Sequence, residues 1–208
     1  MIARVLERSS GLAAIFGGVA WAVSLPLVAT AAGDDPVGLG YDDYNRLLTL
    51  PLVLLLVALL GLRSLQRPRL SRWGRRGAAL SLIGVGLMLA GNIVEFWLVL
   101  LAEDPVFAIA SDRGVESFAG SDIGWPIFLI GALLLFVGGI LFGAAAPRAM
   151  ILPSWAAVVV ALTAPLLIAA FIVWTTSVAA TAVLASVLGV GWILLGGFLL
   201  AAFAPKTA

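Results

Sequence analysis

A chain of 208 residues that is 62% hydrophobic, with 12 Lys or Arg, 11 Asp or Glu and neither cysteine nor histidine, is well above the about 45–50% apolar content of soluble domains. The missing residue types exclude disulfides, thiolate nucleophiles, Cys- or His-held metals, His-ligated haem and Ser–His catalysis. The charges gather between apolar runs and only Glu95 falls inside one, so the chain reads as an all-α, polytopic integral membrane protein in which carboxylate-only chemistry is the one enzymatic route left open.

In chain order, the first apolar span, about 11–32, follows Arg4 and Arg8 and ends on Ala29-Thr30-Ala31, which imitates a secretory signal with its cleavage site. Its apolar stretch of roughly 18 residues exceeds the 7–15 of such signals and is long enough to cross a bilayer, so it is read as a retained helix. An acidic loop, 33–46, carries Asp34, Asp35, Asp42 and Asp43. No EF-hand spacing is present, so it is read as a solvated loop whose Asp42 or Asp43 caps the next helix. The second span, about 47–62, is the shortest and is flanked by Arg46 and Arg63, whose stems can snorkel. The connection 63–76 then packs six arginines and Trp73 into fourteen residues. Setting topology is its first role; as a functional element, Arg67, Arg69, Arg72, Arg75 and Arg76 would grip anionic lipid headgroups. No folded nucleic-acid recognition module accompanies it.

The third span, about 77–101, holds the intramembrane carboxylate. Glu95 lies six residues, roughly 9 Å of helix rise, from Leu101. Gly84, Met88, Gly91, Asn92 and Glu95 recur at three- and four-residue steps, so they are expected on one face turned into the bundle, with Arg46 as the nearest cation by depth. One reading is static: Glu95 snorkels beside Trp97 or ties to Arg46. The other makes Glu95, Asn92 and Arg46 a substrate or ion pathway, with Arg46 as gate or counter-ion.

Beyond an outer acidic loop, 102–123, where Asp104-Pro105 is expected to start a short helix, come spans at about 124–146, 154–174 and 178–204. Gly139 and Gly143 on the fourth, Gly197 and Ala201 on the sixth, and Ala14 and Gly18 on the first have small-xxx-small spacing and are expected at close helix contacts. Pro165 is expected to kink the fifth. The fourth and sixth spans share a pattern, Gly131, Gly138, Gly139 and Pro147 against Gly189, Gly196, Gly197 and Pro205. That pattern is compatible with three helical-hairpin repeats as well as with chance in a Gly- and Ala-rich chain.

Sidedness follows from the basic residues. With the N-terminus inside, ten of them fall on the inner side and only Arg46 and Arg113 outside, so both termini are placed in the cytoplasm. The preference for Arg over Lys suggests a GC-rich prokaryote and its plasma membrane. No cofactor or metal is expected. The bilayer, anionic lipid, and a second copy or a membrane partner protein are the expected associates. Two functional readings stand: a small transporter or permease-like bundle built on Glu95, Asn92 and Arg46, and a non-transporting accessory or assembly subunit.

Overall fold

A computed structural model describes residues 2–31, 41–66, 68–97, 121–149, 152–173 and 176–202. The expectations for Asp34, Asp35, Arg67, Arg113, Trp174, Lys206, Pro205 and the Asp104-Pro105 helix lie outside the described residues. Among those described there is no strand. The helices are α1 (Ile2–Ala31), a short α2 (Tyr41–Leu47), α3 (Thr49–Gln66), α4 (Arg72–Asn92) continued by a π-helical turn (Ile93–Trp97), α5 (Ser121–Ala145), α6 (Ser154–Val173) and α7 (Val178–Ala202), with a 3-10 turn at Pro147–Ala149.

Six segments of 20 to 26 residues are long and apolar enough to span a membrane, and 20 helical residues rise about 30 Å, the thickness of the hydrocarbon core. The chain is a six-helix membrane bundle. Its outer surface carries Phe16, Val23, Leu50, Leu133, Ile172 and Val183, each more than half exposed, a composition that only lipid tails would cover without large cost. Exposed Trp97 and Trp125 ring one end and Trp73 and Trp155 the other, where amphipathic rings meet the headgroups.

Local chemistry sets several boundaries. Pro51, in the first turn of α3, has no N–H for the Leu47 carbonyl, so the second span breaks at Leu48 into α2 and α3, rejoined by Leu52 N–H donating to Leu48 O at 3.2 Å. Asp43 therefore sits inside α2 and does not cap α3. The basic connection is shorter than its charges suggest: Arg63 belongs to α3, and Arg72, Arg75 and Arg76 to the first turns of α4. Ser71 caps α4, its Oγ accepting from Gly74 N–H at 3.2 Å.

The spans pack as a ring in which each touches its neighbour in sequence and α7 closes on α1. Two of these contacts are much closer than the rest, and both are made by glycines seven residues apart. On α4, Gly77, Gly84 and Gly91 face Gly138, Gly131 and Gly124 of the antiparallel α5; a methyl group at Gly84 would lie 2.6 Å from Gly131 O, and one at Gly91 2.5 Å from Gly124 O. On α1, Gly11 and Gly18 meet Gly196 and Gly189 of α7 in the same way. Removing Cβ atoms lets the backbones approach, which is the main source of helix adhesion where lipid is as apolar as the core. The matched glycines of the fourth and sixth spans thus do the same work on different partners, α4 and α1.

Gly143 lies against Ala157 and Ala161 of α6, and Gly139 against the Val160 carbonyl. Gly197 and Ala201 meet no helix of this chain among the described residues: Gly197 has open space beside it and Ala201 is exposed, because it is Gly196, one residue and about 100° around the helix, that faces α1. Pro165 is accommodated within α6. The centre of the ring is filled by Trp21 and Trp192, both almost fully buried, and the void they leave beside Gly17 and Leu55 has no room for a water molecule. Trp192 Nε1 donates to Thr163 Oγ1 at 3.1 Å, tying α7 to α6.

Candidate functional site

One cluster of bonded polar side chains lies where α2, α3 and the end of α4 with its π turn meet. Asn92 is 1% exposed. One residue beyond Gly91, which faces α5, it is rotated by about 100° towards α3. Its Oδ1 accepts from Thr49 Oγ1 at 2.7 Å and its Nδ2 donates to the Asn45 carbonyl at 3.1 Å. Trp97 Nε1 in turn donates to Thr49 Oγ1 at 2.7 Å. Thr49 is therefore both donor and acceptor, and Asn92 uses each end of its carboxamide, so the third span is pinned to the second by a connected network.

Arg46 stands at the edge of this network with its side chain 14% exposed. Its Nε donates to the Phe96 carbonyl at 2.7 Å, and Nη1 pairs with the Asp43 carboxylate one turn earlier on α2. Asp43, at 47% exposure, is the outer member of the pair. Sequence reasoning offered Arg46 to Glu95; the nearer carboxylate took it, because an i,i+3 partner on the same helix is always within reach.

Glu95 has its backbone and Cβ against α5: a methyl group at Gly124 would lie 2.6 Å from its Cβ and 3.0 Å from its backbone N, one turn beyond Gly91. Asn92 and Arg46 are joined to the second span, whereas Glu95 is aligned with the α5 seam. The α4 face accounts for this division: its glycines go to α5, the Glu95 Cβ follows Gly91 four residues on, and Asn92 is turned away from that seam.

Sequence reasoning missed Asn45, Thr49 and Trp97. Asn45 and Thr49 are four apart at the start of the second span, a readable signal for two polar groups on one helical face, and Asn92 is the only other carboxamide at that depth.

At the opposite end, Arg69, Arg72, Arg75 and Arg76 are exposed. Arg76 lies over the Trp73 ring at 5.2 Å and Arg75 Nη1 donates to Leu70 O at 3.2 Å. Cations at a helix N-terminus oppose the macrodipole by about 0.3–1 kcal/mol each, so this cluster is not there for the stability of α4. Among the described residues no group of three or more Asp or Glu is arranged to hold a metal ion.

Comparison with protein-family models, with curated proteins and with solved structures finds no match to this chain.

Proposed function

We propose that the chain is a non-transporting accessory or assembly subunit of a prokaryotic plasma membrane, oriented with its arginine-rich end in the cytoplasm and holding anionic lipid headgroups there. The observation that carries this reading is the use of the polar side chains: Asn92, Thr49 and Trp97 are spent on bonds between the second and third spans, while Trp21 and Trp192 are buried inside the bundle. A pathway instead needs polar groups that face a wet cavity and exchange partners. The basic end supports the lipid contact, at about 1 kcal/mol for each arginine near an anionic surface.

One observation favours the alternative, a transporter or permease. Glu95 is an ionisable residue inside a span, and such residues commonly mark proton or ion routes. The two readings separate in proteoliposomes under an imposed pH gradient. The wild-type chain is expected to pass protons and monovalent cations no faster than empty liposomes, and Glu95→Gln to behave identically. Flux above that background that disappears in Glu95→Gln would overturn the accessory reading.

A further inference from the structure

We propose that the groove between α1 and α3 is a binding site for one phospholipid with a zwitterionic, primary-ammonium head of the phosphoethanolamine type, its tail between the helices and its head on the Arg46–Asp43 pair. The inference is independent of whether the chain transports anything.

The groove follows from where the two helices touch. Gly17 meets Leu54, and Gly61 meets Ser10, so α1 and α3 are joined from mid-membrane to the Gln66 end. Towards the Arg46 end they part and leave an open groove of about 970 Å³ between them. Its walls are apolar, with Phe16, Val23 and Leu27 on α1 and Leu50 and Val53 on α3, and its mouth carries Arg46, Thr49 and Trp97. From Phe16 to Leu27 the wall runs eleven residues, about 16 Å of rise. One leaflet of hydrocarbon is about 15 Å. The groove is thus one leaflet deep, apolar along its length and charged only where a headgroup lies, which is the profile of a single lipid.

The mouth selects the head. A guanidinium has five N–H donors, and Arg46 spends two of them, on Phe96 O and Asp43, leaving donors for a phosphate. A purely anionic head would meet the Asp43 carboxylate at close range and be repelled. A phosphate followed by a primary ammonium meets the opposite pattern: phosphate on the deeper Arg46, ammonium on the more exposed Asp43, in the order in which these groups leave the glycerol. Choline, without an N–H, would forgo the hydrogen bond to Asp43.

The test is native mass spectrometry of the full chain reconstituted in an equimolar mixture of phosphatidylethanolamine, phosphatidylcholine and phosphatidylglycerol with identical tails. One phosphatidylethanolamine should be retained with about tenfold preference over each of the others, tenfold corresponding to about 1.4 kcal/mol. Asp43→Asn should erase that preference and Arg46→Gln should lower retention of all three. Val53→Trp fills the groove from an exposed position, leaves the Arg46 bonds untouched and should expel the lipid with no loss of thermal stability, which keeps the test open if Arg46→Gln fails to fold. Equal retention of the three heads would overturn the proposal, as would unchanged retention in Val53→Trp. A lipid-free dimer that Val53→Trp converts to monomer would also overturn it, assigning the groove to a second copy.

Discussion

Asn92 and Gln66 are both carboxamides buried to 1% or less, and they differ in everything that decides their effect. Asn92 bonds Thr49 and the Asn45 carbonyl, whereas neither Nε2 nor Oε1 of Gln66 has a partner among the described residues. Hydrogen bonds between membrane helices contribute on average about 0.6 kcal/mol, and truncation also takes the acceptor from the Thr49 hydroxyl and the donor from the Asn45 carbonyl. Asn92→Leu is therefore expected to lower stability by about 1–2 kcal/mol. An unpartnered buried amide costs about 1–3 kcal/mol, so Gln66→Met, similar in length and without the polar atoms, is expected to raise it. Thermal unfolding of both variants in one detergent checks the opposite signs; equal destabilisation would show that Gln66 has a partner in solution. Little of this difference is legible in sequence, where each is a polar residue near the end of an apolar span.

At the scale of the helix, spacing was readable and pairing was not. The seven-residue recurrence of Gly77, Gly84 and Gly91, and of Gly124, Gly131 and Gly138, stands in the sequence, but the same spans hold Gly86 and Gly139. Only packing separates them. Gly84 abuts the backbone of Gly131 and Leu135, while Gly86 has nothing within 4 Å. Gly84→Ala forces two backbones apart and is expected to lower stability by roughly 1–3 kcal/mol, whereas Gly86→Ala gains helix propensity of up to about 1 kcal/mol without a clash. Chemical or thermal unfolding ranks the two, and an intolerant Gly86 with an indifferent Gly84 would refute the α4–α5 seam. Gly196 and not Gly197 makes the contact within the chain for the same reason: GxxxG-type spacing names a stripe, and a helix with glycines on adjacent stripes offers two.

For the whole molecule, charge asymmetry sets a testable orientation. Ser71 lies in the arginine-rich turn and Ser117 in the acidic connection, and the chain has no cysteine of its own. A cysteine at Ser71 is expected to be protected from a membrane-impermeant thiol reagent applied to intact cells, and one at Ser117 to react. The reverse labelling would invert every assignment of inner and outer made above.

The class and the number of spans were determined by composition and run length alone, because a bilayer imposes one dimension, its thickness, and every span must match it independently of its neighbours. The site was decided by the tertiary structure. Whether Arg46 meets Glu95 or Asp43, whether Asn92 turns to the second span or the fourth, and that the outer half of the α1–α3 contact opens into a groove depend on helix rotation and on which glycine stripe each neighbour selects. Those choices rest on backbone distances of a few ångströms between segments far apart in the chain, which no local pattern of residues contains.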